Sequence, residues 1–231
     1  MALRIFETDP DARPKQVFSD DTVGRLSGGK QENGIPVALS AWRVTTGDPE
    51  VADAVAQLMG GAPVETDSTS ENFIEVLTEK DKVQVVLSGA DAISDDLKLW
   101  NGSALIHHCD GVDFLSPEED KGKACRCPEL MEDRKAAAKA KRGPSPSIAV
   151  TFRLAEDCDL GLFKLQTGSW KLAETLYQVK DALDKINGDA LCSLELELVE
   201  FTTKKGRDVS YRKPVIRVLK SYNDAIADDK F

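Results

Sequence analysis

The residue types with the most chemistry are gathered in one stretch, "HHCDGVDFLSPEEDKGKACRC", residues 107–127. It holds both histidines of the chain and three of its five cysteines. The pattern is His107-x-Cys109, fifteen intervening residues, then Cys125-x-Cys127. Imidazole nitrogen and thiolate sulfur are ligands that zinc prefers, and two short-range pairs joined by a loop can supply its tetrahedron. His107 gives both pairs the same one-residue gap, whereas His108, directly beside Cys109, would be strained as a ligand. The C-x-C pair needs a bend for its sulfurs to converge, and Arg126 and Pro128 suit a turn there. A structural zinc on His107, Cys109, Cys125 and Cys127 is the expectation, with the metal holding an otherwise polar loop in place.

Two catalytic readings compete with it: a cysteine nucleophile with a histidine base, or a zinc with one open position. A nucleophile has no use for two further thiols beside it. Four donors also suit a closed site better than an open one. Elsewhere the carboxylates show no spacing that singles out an acid–base pair. "RLSGGK" lacks the spacing and the strand-to-helix context of a phosphate loop. No catalytic residue and no organic cofactor site is assigned. The remaining cysteines, Cys158 and Cys192, read as free thiols in unrelated segments, and Trp42, Trp100 and Trp170 as core anchors.

These residues need elements to position them. Residues 1–34 are polar and Gly-rich and read as an arm or loop, residues 35–222 as the core, and residues 223–231 as an acidic, frayed tail. Within the core, "IPVALSAWRVTT" alternates as a strand with two partly buried faces. "GDPEVADAVAQLMGG" reads as a short helix, capped by Asp48, opened by Pro49 and ended by Gly60–Gly61. "FIEVLT" and "KVQVVLSG" read as a hairpin joined by "EKDK", "ADAISDDLKLW" as a helical turn, and "SALIHH" as a strand leading into the cluster. "PELMEDRKAAAKAKR" has its acids early and its bases late, an order that suits a helix dipole. Its basic end reads as a solvated helix terminus, with contact to a phosphate backbone as the alternative. "SIAVTFRLAED" is a further strand.

"SWKLAETLYQVKDALDKING" predicts one long helix from Ser169 to Gly188, with Leu172, Leu176, Val179, Leu183 and Ile186 on its buried face. "LCSLELELVEFTT" and "VSYRKPVIRVLKSY" read as a hairpin, with a kink at Pro214. Mixed order and hairpin-length links predict an α+β fold: a largely antiparallel sheet, two or three packed helices and a zinc-stapled loop.

Thirty basic against forty acidic residues give a formal charge of -10, which argues against a fold that grips DNA through many phosphate contacts. A protein partner fits better. No apolar run reaches membrane-spanning length, and the start "MALRIFETDPDARPK" lacks the apolar core of a secretory signal, so the chain reads as cytoplasmic.

Four stretches together carry a family resemblance: "WRVTTGDPEVADAVAQLMGG", "IHHCDG…CRCP", "GPSPSIAVTFRLAEDCDLG" and "VLKSYNDA". The chain resembles the recombination directionality factors of Streptomyces temperate phages, from about residue 35 onward. The resemblance implies a phage-encoded, non-enzymatic protein in the bacterial cytoplasm. Its partner would be a large serine integrase bound to attachment-site DNA, and it would bind no DNA sequence of its own. It would promote excision between hybrid sites and suppress integration. The ligand set His107, Cys109, Cys125 and Cys127 carries over with it. Two alternatives are a zinc-dependent hydrolase, a label given to related proteins, and a single-stranded-DNA-binding or replication accessory protein, which the ending "DDKF" suggests.

Overall fold

The computed structural model describes residues 21–32, 34–66, 70–203 and 206–228. In chain order the strands are β1 (Thr22–Glu32), β2 (Ile35–Thr46), β3 (Pro63–Glu65), β4 (Ile74–Leu77), β5 (Lys82–Leu87), β6 (Ile93–Asn101), β7 (Ala104–Cys109), β8 (Phe114–Ser116), β9 (Ser145–Leu154), β10 (Leu162–Thr167), β11 (Ala190–Thr202) and β12 (Asp208–Ser221). The helices are α1 (Pro49–Met59), α2 (Met131–Lys139), α3 (Trp170–Ala173), α4 (Leu176–Ile186) and α5 (Tyr222–Ala227). The strands run in the order β12–β11–β5–β9–β10–β1–β2–β4–β3, with β6 on β9, β7 on β6 and β8 on β7. Neighbours are antiparallel except for β1, which lies parallel to β10. The fold is α+β with a largely antiparallel sheet, as the hairpin-length links predict.

Strict alternation makes β9 the spine. Pro146, Ile148, Val150, Phe152 and Leu154 are buried, and the residues between them are only half-buried. One edge of β9 pairs with β10; the other is shared between β5, opposite Arg153 and Leu154, and β6, opposite Ser145 to Val150. The core gathers Trp42, Val44, Phe152, Phe163, Leu194 and Ile216 from the sheet. Val51, Val55 and Met59 of α1 and Leu176, Val179 and Leu183 of α4 join it, as their three- and four-residue spacing requires. Asp48 caps α1 by accepting from the Glu50 amide, and Gly60 ends it at φ 79. The β11–β12 hairpin forms as expected, with Pro214 opposite Leu196 on a strand whose outer edge is open among the described residues. Cys158 is half-buried, Cys192 is buried, and both are free thiols.

Several expectations are corrected. Thr22–Glu32, read as part of a loop, is a full strand between β2 and β10. Its glycines sit where neighbours leave no room: a Cβ on Gly24 would lie 2.9 Å from Phe163 Cε1, and one on Gly28 2.6 Å from Leu196 Cδ2. Here glycine marks close approach in a strand rather than a turn. Residues 1–20 of that arm lie outside the described residues, as do Asp229 to Phe231, which include most of the "DDKF" ending.

"FIEVLT" and "KVQVVLSG" do not pair with each other: β4 pairs β2 and β3, whereas β5 pairs β11 and β9. The link "EKDK" is instead held across the gap, where the Trp42 amide donates to the Lys80 carbonyl and the Leu196 amide to the Asp81 carbonyl. In "ADAISDDLKLW" only Ala90–Ala92 turns, and Ile93–Asn101 is β6. The long helix breaks into α3 and α4 at Glu174–Thr175, where the Thr175 hydroxyl donates to the Leu172 carbonyl and competes with the backbone ladder. Ser169 caps α3, and the chain leaves α4 through Asn187 in the left-handed region, not at Gly188. The acidic tail is helical from Tyr222 to Ala227, with Ala225 fully buried against Val86 and Leu191. Trp42 is a core anchor and Trp170 is half-buried, but Trp100 is exposed.

Candidate metal centre

β7 brings the first pair of candidate ligands into place. His107 and Cys109 are two residues apart on one strand, so both project from the same face. Asp110 then turns the chain back, its carboxylate accepting from the amides of Val112 and Asp113, each at 2.8 Å. Those two donors hold the Asp110 carboxyl below its ordinary pKa, the Asp113 amide having the larger effect. The returning chain is tied by backbone bonds. The Phe114 amide donates to the Lys123 carbonyl, and the Cys125 amide to the Val112 carbonyl, both at 2.8 Å. Arg126 occupies the left-handed region at φ 57, and this reversal lets Cys125 and Cys127 converge.

The ligand atoms of His107, Cys109, Cys125 and Cys127 all lie within 4.8 Å of one another. His107 Nε2 is 3.2 Å from Cys109 Sγ and 3.4 Å from Cys127 Sγ, and the two sulfurs are 3.7 Å apart. A zinc tetrahedron with ordinary Zn–S and Zn–N lengths has edges of roughly 3.5–3.8 Å. The donor set and its spacing therefore fit a metal ion, and one imidazole with three thiolates is soft enough for zinc.

Electrostatics agree with that fit. Burial raises the pKa of the Cys109 and Cys127 thiols, because a thiolate there loses its hydration, and a bound cation is what would hold them deprotonated. Burial lowers the pKa of His107, and the neutral ring is the form that ligates. Cys109 is fully buried and Cys125 nearly so, while His107 and Cys127 are half-buried. The His107 ring also packs on Phe114 at a centroid distance of 4.7 Å.

His108 points elsewhere. Its Nδ1 lies 2.9 Å from Ser116 Oγ, and its Nε2 lies 3.1 Å from Asp96 Oδ2 without the alignment of a hydrogen bond. The structure thus brings His107, and not His108, to the three cysteines.

Two residues that sequence reasoning missed complete the centre. Arg134, on α2, donates from Nε to the Pro128 carbonyl at 2.5 Å and from Nη2 to the Gly111 carbonyl at 2.8 Å. It clamps the two ends of the loop together and places a positive charge near the Cys127 sulfur. Asp110 is the other, and the turn dipeptide Asp110–Gly111 was its legible signal. Arg134 had none, being one base in a basic run. The bases at the end of that run are exposed: Lys139 ends a helix with no buried residue, and Lys141 and Arg142 lie in the turn beyond it.

Among the described residues no helix is long and apolar enough to cross a membrane. No solved structure matches the chain. A family model does: the Gp3-like model, described as recombination directionality factor-like, covers residues 23–219. That span begins within β1, runs through the whole ligand cluster and ends within β12. The chain belongs to the recombination directionality factor-like family.

Proposed function

We propose that this protein binds a phage-encoded large serine integrase on its attachment-site DNA, activates excision between hybrid sites and inhibits integration. The observation that carries the reading is the family match across almost the whole sheet, residues 23–219. The activity is one of biased binding rather than bond chemistry. A factor that reverses the direction of recombination must bind one arrangement of the DNA-bound integrase more tightly than another. A hundredfold change in that balance requires a differential affinity of about 2.8 kcal/mol. The net charge of -10 complements a basic DNA-binding partner and speeds encounter with it.

In this reading His107, Cys109, Cys125 and Cys127 hold a structural zinc. Bound there, zinc would take the place of the thiol protons and tie β7 to the 125–127 turn. Four protein donors leave no position for an exchangeable water, so no catalytic role is assigned to the cluster. Arg134 and Asp110 fix the loop from outside the ligand set.

The test is recombination in vitro with the integrase encoded alongside this protein. Excision and integration are scored with and without the zinc-loaded chain. A gain in excision with a loss of integration is expected, and no change in either direction would sink the reading. Titration of labelled DNA without integrase should show no sequence preference.

A further inference from the structure

The ladder between β6 and β9 ends at Lys98, opposite Ser145. Beyond it, Leu99 to Asn101 pair only with β7 among the described residues, so the turn of this hairpin stands clear of the sheet. Its side chains are unusual for such a position. Trp100 is 55 % exposed, Ile106 57 % and Leu105 38 %. A shift in register pairs Leu105 with Trp100 and leaves Ile106 as the extra residue beside that pair, so the three large apolar groups fall within one turn of the hairpin. From Leu99 to Ile106, "LWNGSALI", no residue carries a charge, although 30% of the chain is Asp, Glu, Lys or Arg.

We infer that this uncharged tip is the surface on which the chain docks to its protein partner, through an apolar, charge-poor patch on that partner. The inference rests on the proposed role at a serine integrase and names the face that role would use.

Exposed aromatic and aliphatic groups with charge excluded are the composition of an interface centre, where Trp is among the most energetic residues. A phosphate backbone would instead require free cations. The cation next to the tip in sequence, Lys98, lies 3.2 Å from the Asp96 carboxylate. Beside Trp100 is a depression of about 240 Å³, lined in part by Lys98, Pro146, Thr167 and Gly168, with room for a side chain of the partner. The candidate ligands begin at His107, one residue after the tip, on the same strand. Whatever fixes that cluster also fixes the direction of the tip, and a preorganised contact loses less entropy on binding.

The test measures the Kd of the full-length chain for integrase bound to a hybrid attachment site. It compares wild type with Trp100→Ala, Ile106→Asp and the double variant. Phe201→Ser, in the other exposed hairpin, is the control. Metal content and melting temperature are followed in each. The expected result is binding weakened by about thirtyfold or more in the double variant, with metal content unchanged and Phe201→Ser like wild type.

Binding within about twofold of wild type would remove the tip from the interface while leaving the recombination role standing. An equal loss in Phe201→Ser would also overturn it. So would a dimer of the free chain that the tip substitutions dissolve, since the tip would then serve a second copy. Failure of the wild-type chain to bind integrase at all would take down the recombination reading together with this one.

Discussion

Two hairpins, β6–β7 and β11–β12, run past the strands that flank them, and they are held by different means. β11 pairs β5 only from Ala190 to Glu195, yet its ladder with β12 continues to Thr202 opposite Asp208. That longer ribbon is self-supporting. Arg217 reaches Glu195 and Glu197 at 2.7 and 2.6 Å, and Lys213 reaches Glu197 at 3.0 Å. The shorter ribbon has no such ladder of charge. On β6 its base is held by the ladder with β9, and on β7 by the converging loop of Cys125 and Cys127 and the Arg134 clamp. Length gives one ribbon enough cross-strand pairs to hold itself, whereas the other is held on β6 by the ladder with β9 and on β7 by the cluster at its root.

The largest test of that contrast is removal of the proposed zinc, by chelation or by Cys125→Ser. We expect a loss of about 4 kcal/mol or more, which lowers the melting temperature by about 8–16 °C. Hydrogen exchange should show protection lost across residues 104–127 and retained across 190–221. Uniform loss across both would break the comparison. Leu194→Ala, at a core position of the self-supporting ribbon, should cost about 2–5 kcal/mol in urea unfolding and leave metal content as it was. Metal loss in that variant would mean the two ribbons are not independent.

Arg134→Gln keeps the four ligands and removes the clamp. Competition with a chromogenic chelator should report metal affinity reduced by about tenfold or more. Arg217→Ala breaks two exposed contacts and should cost only about 0.2–1 kcal/mol.

The smallest effect concerns acid. Lys213, and then Arg217, hold the Glu197 carboxyl below its ordinary pKa. A depressed carboxylate contributes stability above its unfolded pKa of about 4.3 and loses it as pH falls through the folded value. Wild type and Glu197→Gln should therefore differ at neutral pH by a small margin that closes below about pH 4. A difference that persists at pH 2 would assign the effect to packing.

Local signals explain which parts of this molecule were legible. β9, α1 and the β11–β12 hairpin repeat their apolar residues at the period of their own element, and Asp48 and Pro49 announce a helix start. β1 was hidden because its glycines answer to Phe163 and Leu196, residues more than a hundred positions away in sequence. The pairing of β4 and β5 was misread because a hairpin-length link says how far apart strand ends lie, not which edges they join. At the candidate metal centre the donor types, and the gathering of His107 rather than His108 with the cysteines, could be read from spacing. Their convergence depends on the backbone of Arg126 and on Arg134, and neither has a pattern to announce it.

The parallel pairing of β1 with β10 has a consequence for synthesis. The chain reaches Leu162 roughly 130 residues after Glu32 leaves the ribosome. At about 5–20 residues per second that interval is roughly 7–26 s. During it the β1–β2 hairpin has one edge of β1 open and no partner yet made. Its unpaired amides and carbonyls, and the glycine-lined groove meant for Phe163 and Leu196, are available to other nascent chains. Slower translation through residues 33–161 would lengthen that exposure and lower the soluble yield, with every residue of the finished protein unchanged.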